Sequence, residues 1–411
     1  MKEPSFMVVI TKNPDDVKDP QIFLDNIANS ENVRVLSARM DEERGMVLDL
    51  IVEDKPYQVD VMPIEVEVPN FFRPQHAFTD EEYQQIASTQ VGLSVCMIFD
   101  DDFAQCFYDQ LRILDAMFPE ILAVLDEPSE KLLSGKWVAL AAKSKILPAP
   151  RYLFTVQAIS DDGEEIWLHT HGLKRCGLYE IEILGSTKET CNDHYKMMET
   201  FATRMLESEE PIKPTDSVFV GQAADRYLIC TAVDWKEALT YYPDIKIGTK
   251  EDREDNVHGE DTCVLMLYKN ERDEEEMRFT PVQAFNPFLQ QNPMYMFSNE
   301  ETARMRSLAI ERIPYLMKAF VNKENTIILK IGLITDKEYW EEEDKPQREH
   351  IWFELKNITD DGVVAELTQE PYYVSGIKTG DVRTFPFSDI TDWLIFTKEC
   401  RIAPDDVYLL Q

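Results

Sequence analysis

The run Glu165-Ile166-Trp167-Leu168-His169-Thr170-His171-Gly172 decides how this chain folds. It reads as a β-strand, and Tyr152 to Ile159 before it as another, with Asp161-Asp162-Gly163 between them. Asp-Gly tolerates the positive φ angles of a tight turn, so the pair is expected to form a hairpin. A helix is expected over Glu189 to Glu207. Hairpins carrying helices make an α+β arrangement, here with antiparallel sheets.

The same alternation continues toward the amino terminus. Thr79-Asp80-Glu81-Glu82 is a helix-start signal. Val91 to Phe99 reads as a buried strand, and Asp102 to Met117 as a helix with Phe103, Phe107, Leu111 and Leu114 on one side. Ile121 to Leu125 is the next strand, while Leu132 to Ala142 fits either type. Earlier still come a strand at Phe6 to Ile10, a helix at Pro20 to Ala28, and strands at Val33 to Arg39, Met46 to Val52 and Tyr57 to Pro63. Pro69 to Pro74 breaks the pattern, which sets the expected first domain, a small α+β unit, at residues 1–74 and a second at 75–215.

Beyond it, residues 216–297 read as a strand-rich subdomain and connector. Two acidic bursts there, Glu251 to Asp255 and Glu271 to Glu276, read as solvated hairpin loops. Residues 298–411 open with a helix, Asn299 to Phe320, kinked or divided at Pro314. After the acidic Glu341 to Asp344 linker, Ile351, Phe353 and Leu355 alternate with His350, Trp352 and Glu354, and Asp360-Asp361-Gly362 turns the chain back. Short strands joined by tight turns suggest a small curled sheet or partly open β-barrel. The fold class is therefore multi-domain α+β.

Lys and Arg number 42 against 77 Asp and Glu over 411 residues, a formal charge of −35. With 44% hydrophobic residues the charge belongs to folded domains. Nucleic acid is excluded as a partner because phosphate needs clustered cations, and so is an anionic membrane surface. The seven cysteines are scattered with no C-x-x-C pair, which argues against a disulfide framework or zinc ribbon. With no signal-peptide core and no run approaching roughly 20 apolar residues, the chain is expected to be soluble and cytoplasmic. No cofactor is expected, and the oligomeric state stays open.

Glu349-His350-Ile351-Trp352, Glu370-Pro371, Gly380-Asp381 and Ile390-Thr391-Asp392-Trp393 occur in that order in the last third. Residues 298–396 thereby resemble the YegJ-like bacterial domain of unknown function. They depart from it at Val364-Ala365-Glu366-Leu367, where that family usually carries a glycine. Trp167 to Leu173 and Gly177 to Glu182 resemble a second uncharacterised bacterial family often fused to it. The resemblance implies domain placement and bacterial origin, with no activity attached.

His169 and His171, two apart on a strand, point to the same face and are weak metal-ligand candidates. Cys176, Glu180, Glu182 and His194 are the nearest in sequence for a third ligand. Packing at a strand end is the competing reading. Glu180 and Glu182 share a face and fit either an acid/base pair or a solvated sheet face. His350, Trp352, Asp389, Asp392 and Trp393 are candidate recognition residues, against a reading in which Trp393 plugs the barrel end and Asp392 caps turn amides. Nucleophile elbows, P-loops and H-E-x-x-H are absent. The leading expectation is a non-catalytic, immunity-like interaction protein that binds a basic protein partner. A metal-dependent hydrolase using His169 and His171, or a small-ligand sensor in the last domain, are the alternatives.

Overall fold

In the computed structural model, which describes residues 2–68, 72–160, 164–253, 258–259, 261–291, 293–296, 298–340 and 345–410, the strands assemble into three sheets. The chain divides into two units, residues 1–142 with 148–298, and residues 143–147 with 299–411.

The first sheet of the larger unit contains β1 Ser5–Thr11, β2 Val33–Asp41, β3 Gly45–Val52, β4 Lys55–Glu65, β5 Arg73–Pro74, β6 Val91–Met97, β7 Ile121–Asp126 and β8 Lys131–Ser134. Their order is β2-β3-β4-β6-β1-β7-β8-β5. Four helices go with it: α1 Pro20–Ala28, α2 Asp80–Ser88, α3 Phe103–Met117 and α4 Gly135–Ala142. Thr79 caps α2 as the sequence signal requires, its hydroxyl accepting from Glu82 N while Glu82 accepts from Thr79 N. The ambiguous Leu132 to Ala142 stretch is both types in turn, β8 running straight into α4. Gly135 makes that junction possible, because a Cβ there would stand 1.9 Å from Ile121 O.

Since β4 and β1 both pair with β6, the division expected at residues 74/75 falls inside this sheet. Residues 69–71 of the Pro69 to Pro74 break lie outside the described residues.

The second sheet holds β9 Thr155–Ser160, β10 Glu165–His171, β11 Glu180–Thr187, β12 Val218–Ala223, β13 Arg226–Asp234, β14 Thr262–Tyr268, β15 Thr280–Pro281 and β16 Met294–Tyr295. The order is β16-β12-β13-β14-β11-β10-β9, with β15 on β14. β9 and β10 pair antiparallel as expected, from Ile166 opposite Ser160 to His171 opposite Thr155. Their connecting turn, Asp161-Asp162-Gly163, lies outside the described residues. β11 and β14 pair in parallel, so the strands of residues 216–297 complete the same sheet rather than a separate subdomain. Helix α5 Cys191–Glu207 buries Met197, Met198, Phe201 and Met205. Trp167, Leu184, Val233, Trp235, Val264 and Met266 belong to one apolar core cluster.

The smaller unit is a curled half-barrel of β17 Thr326–Ile334, β18 Arg348–Thr359, β19 Gly362–Leu367, β20 Val382–Pro386, β21 Ile390–Phe396 and β22 Arg401–Ile402. The leading helix is divided, Asn299–Glu311 then Ile313–Phe320, with Pro314 in the first turn of the second piece, where its missing N–H costs nothing. The Glu341 to Asp344 linker lies outside the described residues. No helix among the described residues is long and apolar enough to cross a membrane.

Candidate functional site

The pleat of β10 puts Trp167, His169 and His171 on one face. Cross-strand pairing sets Gln157 and Glu182 on either side of His169. Gly172 ends the strand at φ +112, and a Cβ there would stand 2.4 Å from Leu153 O, so the chain can leave the sheet at this point only through glycine.

A third imidazole arrives from far along the chain. Arg253, in the short turn Glu251–Arg253, donates to Glu182 through Nη1 at 2.5 Å and Nη2 at 2.6 Å. The same guanidinium donates to His258 O and Gly248 O, both at 3.1 Å, and Trp235 Nε1 donates to Gly259 O at 3.0 Å. These bonds hold His258 over the strand. Ring centroids are 4.3 Å apart for His169 and His258, 4.8 Å for His169 and His171, and 5.1 Å for His171 and His258.

One ring nitrogen from each histidine lies within 4.8 Å of the others. His169 Nδ1 is buried with no hydrogen-bond partner among the described residues. Burial drives His169 down to about 2 and His171 to about 3, the neighbouring imidazoles adding to the effect. Both rings are therefore neutral at pH 7, the form that binds a metal. Glu130 Oε1 stands 3.6 Å from His171 Nδ1, and Glu130 Oε2 accepts from Gln157 Nε2. A carboxylate behind a histidine is the usual second-layer support for a metal ligand. Ligands about one zinc stand about 3.4 Å apart, so these rings would have to draw together to hold one.

Residues 5–148 match a family model described as protein of unknown function (DUF4026) N-terminal, and residues 156–266 match its C-terminal counterpart. Residues 301–403 match one described as an uncharacterized protein conserved in bacteria (DUF2314). The chain carries two DUF4026 domains followed by a DUF2314 domain. No curated protein and no solved structure matches it. All three clustered histidines fall within the DUF4026 C-terminal match.

The DUF4026 sheet corrects several sequence expectations. Glu180 and Glu182 do not lie on a solvated face, being 5% and 0% exposed. Glu180 accepts from Thr170 Oγ1 at 2.6 Å, Gly172 N at 2.9 Å and Lys174 N at 3.2 Å, which shapes the turn after His171. Glu182 is taken by Arg253 and by Trp167 Nε1 at 2.9 Å. Both carboxylates thus have fixed hydrogen-bond partners inside the sheet. His194 bonds Ser186 and Asn286 elsewhere, and Cys176 is buried outside the cluster. The Glu251 to Asp255 burst is not wholly solvated, since Arg253 within it is buried, while Glu254 and Asp255 lie outside the described residues. Glu271–Glu275 is a short exposed helix.

In the DUF2314 domain the recognition residues split between two sides of the sheet. His350 is exposed and bonds Thr391 Oγ1 through Nδ1 at 3.0 Å. Lys330 pairs across to both Trp352 and Asp392, with its ammonium 5.6 Å from the Trp352 ring. Asp389 stands 3.8 Å from Arg348. Trp393 does not join them: it is 0% exposed and its Nε1 donates to Ala309 O at 2.9 Å. Asp392 accepts from Trp393 N at 2.8 Å, as a residue capping a backbone amide does.

His258 is the member of the cluster that its own stretch of sequence does not point to. It is one of only six histidines, but it follows an acidic run that looks like a solvated loop. The parallel pairing of β11 with β14 brings it back to β10, and no local pattern announces that pairing.

Proposed function

We propose that this chain binds a first-row divalent metal ion through His169, His171 and His258. The observation that carries the reading is the convergence of three buried or half-buried imidazoles from two distant segments, with a buried, unpartnered His169 Nδ1 among the described residues. Imidazole sets of this kind suit zinc, copper, nickel and iron, and zinc accepts them without a geometric demand of its own. The ion ties the segment carrying His258 to β10, so binding stabilises the fold. Hydrolysis of a substrate at the ion, with Glu130 supporting His171, is the catalytic version of the same reading.

Calorimetric titration of the chelator-stripped, untagged chain with zinc tests it. One equivalent should bind, with affinity lost on His169→Ala or His258→Ala. Absence of saturable binding, together with less than about a tenth of an equivalent of metal in the chain as purified, would sink it.

A second reading rests on a different observation. Phe6, Met62 and Ile98 are 38%, 42% and 58% exposed and line a cleft of about 690 Å³ that also holds Glu43, Asp60 paired with Arg44, and Asp100, which pairs with Lys55. Exposed apolar contacts on a chain of charge −35 suit a basic protein partner, an immunity-like role being one version. Salt-sensitive recovery of a basic partner from the native host, lost on Met62→Arg with Ile98→Arg, is expected. Recovery unchanged by those substitutions would contradict it. Seven free cysteines suit a reducing cytoplasm, and the YegJ-like reading of residues 298–411 rests on its four sequence motifs, the family match there being to DUF2314.

A further inference from the structure

Lys131 opens β8 and is only 3% exposed. A buried ammonium ordinarily has a carboxylate against it. Lys131 instead donates to a backbone carbonyl, Arg151 O, at 2.5 Å, and stands 5.9 Å from the Tyr152 ring centroid. Beside it opens a cavity of about 220 Å³, lined also by Gln75, Arg151, Thr155, Tyr195 and Glu199. Thr155 Oγ1 is buried and has no hydrogen-bond partner among the described residues.

The charged groups that act on Lys131 are Asp126 on β7, Arg175, Arg151 and Glu199 on α5. The buried His76 ring feels it in turn. Burial outweighs the two carboxylates and brings the ammonium down to about 7. A lysine desolvated in this way is a nucleophile near neutral pH, where ordinary lysines are not.

We propose that Lys131 is the reactive amine of a second site, one that condenses with a small aldehyde or ketone bearing an anionic group. The cavity limits the ligand to little more than the size of benzene, and Arg151, which lines it beside Glu199, is the cation an anionic substituent would meet. The neutral amine adds to the carbonyl carbon and a C–N bond forms. The carbonyl oxygen then leaves as water, carrying both amine protons, and C=N remains. No electrons change hands. This site is independent of the histidine cluster and stands or falls without it.

Glyoxylate, a two-carbon anionic aldehyde, is the probe. The native chain is treated with it and cyanoborohydride at pH 6.5 in the presence of a chelator, and modified peptides are mapped by mass spectrometry. An ordinary lysine is about 10⁻⁴ neutral at that pH. Lys131 should therefore be modified at least tenfold faster than exposed Lys236 and Lys398. Arg151→Gln should slow glyoxylate labelling more than formaldehyde labelling, which it slows only through the loss of a neighbouring cation. Lys131 left unmodified, or modified no faster than the exposed lysines, would overturn the proposal. The wild-type peptide map decides this even if Lys131→Met fails to fold.

Discussion

At Glu182 a fully buried carboxylate sits between the Arg253 guanidinium and the Trp167 indole N–H. Burial pushes its carboxyl up, and the bidentate guanidinium works against that rise. Removing one member of such a pair leaves the other charge uncompensated, at a cost of about 3–5 kcal/mol. Arg253→Met should lower stability to urea by that order and weaken zinc binding as well, because Arg253 also holds His258 O. An unchanged urea midpoint would contradict the pair's role. The histidines make a separate prediction. His169 and His171 titrate near 2 and 3 when folded, well below the ordinary value near 6.5 that the unfolded chain shows. Their contribution is complete above pH 6.5 and is lost as the pH falls below it, by up to about 1.4 kcal/mol per histidine per pH unit. Between pH 6.5 and 5.0 the wild type should therefore lose more stability than His169→Phe. Parallel curves would show that His169 is not held neutral.

Elements with a strong local period were legible before the structure. Phe107, Leu111 and Leu114 mark the buried side of α3, and Ile351, Phe353 and Leu355 the inner face of β18. The α2 cap was legible because Thr79 and Glu82 carry their chemistry within one turn. What failed to show locally depends on partners far away. Glu180 and Glu182 look solvent-facing until a guanidinium 71 residues on is placed against the second of them. The β8–α4 junction hides behind a continuous apolar run, and only the close approach of Gly135 to Ile121 divides it. Trp393 shows the same limit: it shares a strand with Asp392, yet its indole crosses to the Asn299–Glu311 helix. Trp393→Phe keeps most of the packing and leaves Ala309 O without its donor, so a loss of about 1–3 kcal/mol is expected in thermal or urea unfolding. A change below about 0.5 kcal/mol would mean that bond contributes little.

Across the larger unit, the two DUF4026 sheets share a buried ion pair. Arg175, just after β10, donates to Asp126 at the end of β7 at 2.6 and 2.9 Å, and both side chains are 0% exposed. Arg175 also donates to Ser5 Oγ and Leu153 O, while Ser129 donates to Asp126. This junction joins the two sheets, while the pairing of β1 and β4 with β6 is why the first 74 residues do not stand apart as a domain. Arg175→Met should make the connections around residues 127–130 and 143–154 cut faster in limited proteolysis, and an unchanged digestion pattern would argue against the junction. The charge of −35 sits on a molecule that buries Arg175 against Asp126 and Arg253 against Glu182 and holds His169 and His171 neutral. A cation in that cluster would have no carboxylate among its three protein ligands. Zinc-edge X-ray absorption on the stripped and reloaded chain tests this most directly. Three imidazole nitrogens at about 2.0–2.1 Å are expected, falling to two in His258→Ala. A shell of oxygens alone, or one containing sulfur, would contradict the three-histidine site.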